Sequence, residues 1–237
     1  MKLLITSIVF LFLFVRPIQA MGLRSFVALP LEENGHVIRV IVEHNEASSS
    51  NYLKTNYAYG ISAKQTLLFG LPYRLSPSGN NKTGNISALY RHTIIQNDKK
   101  DSTFRLALLG GGILPTQNEA DGSIQAGAVA TFSHNRHGID IDFLYRKGLG
   151  NDKNTARYDV SWQYRLSPAV YPHWGISPEW DMVLELNGRY LESNTITHQL
   201  TAGLQWIDKQ WVFEGGVFKD LNNAHNTGLM FSTRTHF

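Results

Sequence analysis

The 237-residue sequence contains no cysteine, so disulfides, thiolate metal sites and a lipid-modified cysteine anchor are excluded. Charge is sparse, at 17% of residues, and almost balanced. There are 22 Lys and Arg against 19 Asp and Glu, and two of the bases, Lys2 and Arg16, fall within the first twenty positions. With those two set aside, 20 bases face 19 acids, which leaves no electrostatic case for a nucleic-acid partner. Long hydrophobic runs are also missing. Beyond residue 20 no stretch reaches the roughly twenty apolar residues that a membrane-spanning helix needs. A closed β-barrel remains available as a way to cross a membrane, because it too satisfies its backbone polar groups internally.

The first twenty residues read as an export signal. Lys2 gives a minimal basic start, Leu3 to Val15 is apolar apart from Thr6 and Ser7, and Arg16-Pro17 ends the run. Ile18-Gln19-Ala20 then presents a small residue for cleavage, so residues 1–20 are expected to be removed on export. The apolar stretch is too short to span a hydrocarbon core that needs about twenty residues.

What is present from about residue 35 onward is alternation. Apolar and polar residues take turns with period two, in segments of about ten, as in strands that meet lipid on one face and a polar lumen on the other. In 155–167, Tyr158, Val160, Trp162, Tyr164 and Leu166 share one face, while Arg157, Asp159, Ser161, Gln163 and Arg165 share the other. In 180–192, Met182, Leu184, Leu186 and Tyr190 oppose Asp181, Glu185, Asn187 and Arg189. In 197–207, Leu200, Ala202, Leu204 and Trp206 oppose Gln199, Thr201, Gly203 and Gln205. The other segments fall at 35–46, 53–62, 65–76, 84–97, 103–115, 123–133, 138–148, 210–220 and 226–237.

Links after odd-numbered segments are polar and long, such as 76–83, 116–122 and 149–154, whereas most of the others are tight, such as 62–64 and 208–210. Outer-membrane barrels show this asymmetry between external loops and periplasmic turns. The link 167–179 holds Pro168, Pro172 and Pro178 and is long on the short-turn side, which keeps ten or fourteen strands open beside twelve. The expected fold is all-β: a transmembrane antiparallel up-and-down β-barrel of about twelve strands over 35–237, preceded by a periplasmic segment at 21–34. An exported soluble β-protein would have to bury Trp, Tyr and Leu from every strand in one small interior. Turned outward, the same residues form a lipid belt in the outer membrane.

Short motifs add a resemblance. Tyr57-Ala58-Tyr59-Gly60, Gly70-Leu71-Pro72-Tyr73 and Leu108-Leu109-Gly110-Gly111-Gly112-Ile113-Leu114-Pro115-Thr116 occur in order, followed by Tyr164-Arg165-Leu166. Together they resemble the barrel family named for the MetA pathway of phenol degradation. The resemblance implies an outer-membrane transporter and points to small solutes, aromatic ones among them. Gln117 stands where the family commonly has glycine, and Thr83-Gly84-Asn85 replaces a Gly-Asp-rich turn, so a shared fold follows better than a shared ligand.

The inward faces carry the candidate chemistry. Asp140, Asp142 and Arg146 adjoin Arg157, Asp159 and Arg165, which in turn adjoin Asp181, Glu185 and Arg189. These residues fit a charged constriction on a solute path, or a salt-bridged ladder that fills the lumen. Twelve strands lie between the eight that leave room only for side chains and the sixteen that leave a channel. Leu68, Leu89, Val129, Leu144 and Val183 also face inward, to line a path or to pack. Whether residues 21–34 plug the lumen stays open. The expected function is a narrow channel or transporter for small, including aromatic, solutes, the alternative a structural or interaction barrel with a filled lumen, and the least favoured reading an envelope hydrolase.

No enzyme, cofactor or metal is expected. His198, Ser193 and Thr197 match no hydrolase spacing, and His134 and His137 flank a tight turn rather than forming a ligand set. In the last segment Leu229, Phe231, Thr233, Thr235 and Phe237 alternate with Met230, Ser232, Arg234 and His236. A closing strand ending in Phe resembles the signal read by the outer-membrane assembly machinery, an expected partner alongside outer-membrane lipid. Deleting Phe237 should lower the amount of folded protein in the outer membrane and raise its degradation. Unchanged folded yield, read from gel mobility with and without heating, would make Phe237 an ordinary strand residue.

Overall fold

A strand with one apolar and one polar face still has two hydrogen-bonding edges, and a row of such strands removes its last two edges only by closing on itself. The computed structural model describes residues 22–79, 81–117, 121–167, 178–222 and 226–237. The expected leader and most of the proline-rich link lie outside them. Twelve strands follow in order: β1 (His36–Asn45), β2 (Ser50–Ser62), β3 (Gln65–Ser76), β4 (Ile86–Asp98), β5 (Ser102–Leu114) and β6 (Ser123–His134), then β7 (His137–Gly148), β8 (Thr155–Ser167), β9 (Glu179–Leu191), β10 (Thr197–Asp208), β11 (Trp211–Asp220) and β12 (Thr227–His236). Each pairs with its sequence neighbours, and β1 pairs antiparallel with β12 from Val37↔His236 to Asn45↔Gly228, closing the barrel. No helix occurs among the described residues. The expected twelve-stranded antiparallel barrel is therefore present, with strand ends within three residues of those expected.

The wall is inverted relative to a soluble protein. Phe231, Phe143, Val217 and Ile141 point outward and are exposed, whereas Asp159, Asn187, Thr201 and Gln205 point inward and are fully buried. The mouth at which β1 begins and β12 ends, called the near mouth here, carries an aromatic girdle. Trp180, Trp206, Phe213 and Trp211 meet in succession, with ring centroids 6.4, 5.4 and 6.1 Å apart, the first pair tilted and the other two stacked. Across the closure, Phe237 stacks on His36 at 5.4 Å. The two residues also exchange backbone hydrogen bonds of 2.7 and 3.0 Å, so the terminal aromatic seals the seam. Loops after odd-numbered strands gather at the opposite, far mouth.

Leu184 projects from the middle of β9, between Trp162 of β8 and Ala202 of β10. If that face meets lipid, Leu184→Arg should cost about 2–4 kcal/mol of folding free energy. Ser133→Arg, which faces the open interior at the near mouth, should cost far less. Equal losses, from denaturant unfolding in lipid vesicles, would invalidate the assignment of faces.

Candidate functional site

The charged residues of β7 to β9 occupy levels set by strand register. At mid-height Asp142 pairs with Asp159, which pairs with Asn187. Asp159 accepts from Asn187 Nδ2 and Arg189 NH1, both at 2.7 Å, and Arg157 NH1 lies 3.9 Å away. One level toward the near mouth, Asp140 accepts from Thr131 Oγ1 at 2.5 Å and Gln163 Nε2 at 2.9 Å. Ser161, beside Asp140 on the ladder, pairs with Glu185. At the near mouth itself Arg165 sits opposite Asp181 and binds Glu179 at 3.2 Å. Arg146 lies toward the far mouth, bonded to Asp152 at 2.5 Å and Ser123 at 2.7 Å. The nine candidate residues thus spread along the lumen instead of forming one ring.

Their partner at mid-height is the chain's own N-terminal segment. Residues 22–31, from the stretch expected as a periplasmic N-terminal segment whose place in the lumen was open, lie inside the barrel. The segment leaves β1 through a turn in which Gly35 N donates to Glu32 O at 2.9 Å and Asn34 N to Gly60 O at 2.8 Å. Asn34 has φ 61°, a left-handed conformation that Asn accepts more readily than most residues. Gly60 has no alternative here, because a Cβ would run into the Glu32 carbonyl.

Inside, the segment's polar backbone meets the wall's ions. Arg24 N donates to Glu185 at 3.0 Å, Phe26 N to Asp142 Oδ2 at 2.7 Å and Ala28 N to Thr131 Oγ1 at 2.8 Å. Arg39 NH2 donates to Leu23 O at 2.6 Å and Arg91 NH1 to Val27 O at 2.7 Å. Two apolar anchors flank these contacts. Leu23 packs with Ile41, Val183 and Met230, while Ala28 packs with Leu89, Ala107, Leu109, Val129 and Leu144, joined by Phe26 and Leu68. The inward apolar residues found in the sequence therefore serve packing. Leu23, Val27 and Ala28 are at most 1% exposed, so the segment fills the middle of the lumen.

Two charge groups lie beyond the expected ladder. Arg24 reaches Glu43 at 3.2 Å, and Lys54 meets the same carboxylate at 2.6 Å. Glu214 joins Arg39 at 2.5 Å to Arg234 at 3.4 Å and accepts from Ser232. Aromatic rings cover two guanidiniums, Phe218 under Arg24 at 4.3 Å and Phe26 under Arg157 at 4.2 Å. Between the segment and the near mouth is a cavity of about 300 Å³, lined among others by Leu29, Asp140, Gln163, Arg165 and Asp181. His198 lies on the outer surface, where its Nδ1 is 2.7 Å from the Tyr158 hydroxyl. Sequence reasoning missed Arg24 and Phe26 as site residues. Its one usable signal was the set of inward apolar residues lacking a partner.

No family model matches the chain, and no curated protein matches it. Solved structures do. An outer membrane channel from Pseudomonas putida F1 superposes with a TM-score of 0.59 at 10% identity, over 92% of this chain and 100% of that one. NanC porin gives 0.54 at 8% identity, over 84% and 98%, and KdgM porin gives 0.53 at 8%, over 85% and 99%. At such identities the likeness shows the barrel fold. The resemblance drawn from short motifs is carried no further by it.

The segment's hold on the wall can be measured. Leu23→Ala empties the pocket formed by Ile41, Val183 and Met230, at a local cost of about 2–5 kcal/mol. Amide exchange at Phe26 and Ala28 should accelerate about a hundredfold, while β9 amides stay protected. Unchanged exchange at these two amides would mean that Leu23 does not anchor the segment.

Proposed function

We propose that the chain is an outer-membrane channel whose leader, residues 1–20, is removed on export, and whose path is closed by residues 22–31. The near mouth then faces the periplasm and the long loops face outward. The supporting observation is the pairing of an apolar outer surface with a charged interior whose middle is occupied by a separate, tethered segment. A wall made only to be filled could close with its own side chains. Here the filling hangs from one exposed turn, so it can withdraw without breaking the barrel. Likeness to porins and a channel supports the same reading at the level of fold. We assign no catalytic role.

The solutes we expect are small. The motif resemblance nominates aromatic compounds, but the lining is dominated by carboxylates, guanidiniums and hydroxyls, which favours polar ones. Lipid and the assembly machinery are the partners this reading requires. Because the segment is so fully packed, a structural barrel with a permanently filled lumen is the reading to beat.

The absence of native cysteine makes a direct test clean. With Ala28→Cys and Thr131→Cys joined by a disulfide or a short thiol cross-linker, the segment is locked in place. The locked full-length protein in a planar bilayer should stay closed, and reduction should restore discrete openings. Asp142→Asn with Asp159→Asn removes two negative charges at nearly constant volume, so the openings should shift toward anions. Equal conductance when locked and reduced would free the segment from any gating role. Folded protein that never conducts would favour the filled barrel.

A further inference from the structure

The lumen wall recognises the main chain of residues 22–31 at least as closely as their side chains. Glu185 accepts from the amides of Arg24 and Ser25, Asp142 from that of Phe26 and Thr131 from that of Ala28. In the opposite sense Arg39 donates to the carbonyl of Leu23, Arg91 to that of Val27 and Thr93 to that of Ala28. These wall groups come from five strands, β1, β4, β6, β7 and β9. Even so, they meet the donors and acceptors in the order in which the main chain presents them from Leu23 to Ala28.

That sorting by polarity is informative. A hydroxyl can donate or accept, so a site for a sugar chain needs no fixed sequence of ionised acceptors and donors. An aromatic solute offers no such row at all. Amides are different: each N–H only donates and each carbonyl only accepts. The side-chain environment adds to the match. Apolar pockets receive Leu23 and Ala28, and between them the Arg24 guanidinium finds Glu43, Gln199 Oε1 at 2.6 Å and the face of Phe218.

We propose that the solute of this channel is an oligopeptide, apolar with a cationic residue near one end, and that residues 22–31, bent at 23–25, are its built-in stand-in. This rests on the channel reading above. The stand-in occupies the solute's site while it remains tethered at the near mouth through the exposed turn at 32–34. Withdrawal toward the near mouth vacates the wall groups, and a peptide of the same backbone pattern takes them up. No covalent step is involved.

The test uses the full chain with a protease recognition sequence inserted between Glu33 and Asn34. The barrel is folded into lipid, cut at the turn and washed, and the fate of the freed segment is read by intact mass. A fluorescent, acetyl-capped peptide with the sequence of residues 22–31 is then added, with anisotropy and conductance read on one preparation. The peptide should bind and block current, whereas a cut segment that neither leaves nor exchanges with added peptide would overturn the proposal in favour of the filled barrel. The same peptide N-methylated at the Phe26 amide carries a methyl group in place of the proton offered to Asp142 and should bind at least about tenfold more weakly. A scrambled peptide, or an uncharged oligosaccharide of similar length, should compete poorly. Equal competition by either one, or undiminished binding of the N-methyl peptide, overturns the proposal. Peptide binding without current in any state would retire the channel and keep the peptide site. Current without peptide binding would retire the peptide and keep the channel.

Discussion

An ionised group in a low-dielectric interior is tolerable only when its charge is met by a partner in good geometry, and an unmet one costs several kcal/mol. Much of this barrel depends on how that demand is answered at mid-lumen. Glu185 and Asp142 are each 1% exposed, and both are answered by backbone amides of the N-terminal segment. Arg91, 4% exposed, is answered by a backbone carbonyl and by Thr66 Oγ1 at 3.1 Å. Wall and segment therefore specify each other. The wall's ions hold the segment's backbone, which would otherwise be buried without partners, and the backbone dipoles stabilise the wall's charged groups. With the segment in place each half satisfies the other, and when it withdraws water or solute must take over those contacts.

The same constraint explains where the segment runs. It cannot lie along one strand, because its donors need carboxylates and hydroxyls on β6, β7 and β9, while its carbonyls need the guanidiniums of β1 and β4. It therefore crosses the lumen from the Leu23 pocket to the Ala28 pocket. The apolar contacts at the two ends contribute burial that does not depend on hydrogen-bond geometry. They also fix the register at which each amide meets its acceptor. At the exit, the Glu32–Gly35 turn and the bare backbone of Gly60 let the chain pass close against β2 before it enters β1.

The barrel was legible in the sequence to within a few residues per strand, because period-two alternation is a local property that survives without any knowledge of neighbours. Tyr158 to Leu166 against Arg157 to Arg165 says which side is which before any pairing is known. Even the long link 167–179, which threatened the strand count, did not disturb it. The candidate charges were found for the same reason, since every inward Asp, Glu and Arg falls on the polar phase of its strand.

Their arrangement was not found. Listing Asp140, Asp142, Arg146, Arg157, Asp159, Arg165, Asp181, Glu185 and Arg189 side by side left a charged constriction and a salt-bridged ladder both open. Antiparallel register then distributed them over the height of the lumen, with Arg146 and Arg165 near opposite mouths. Nor could any pattern place residues 22–31, because a segment held through its main chain leaves little trace in side-chain periodicity. By itself the sequence determined the closed wall, its inside and its outside, since these follow from alternation along each strand. Only the tertiary structure decided what fills that wall, because the contacts between the N-terminal segment and β9 join groups some 160 positions apart, as with Ser25 and Glu185. They exist only once twelve strands have closed around them.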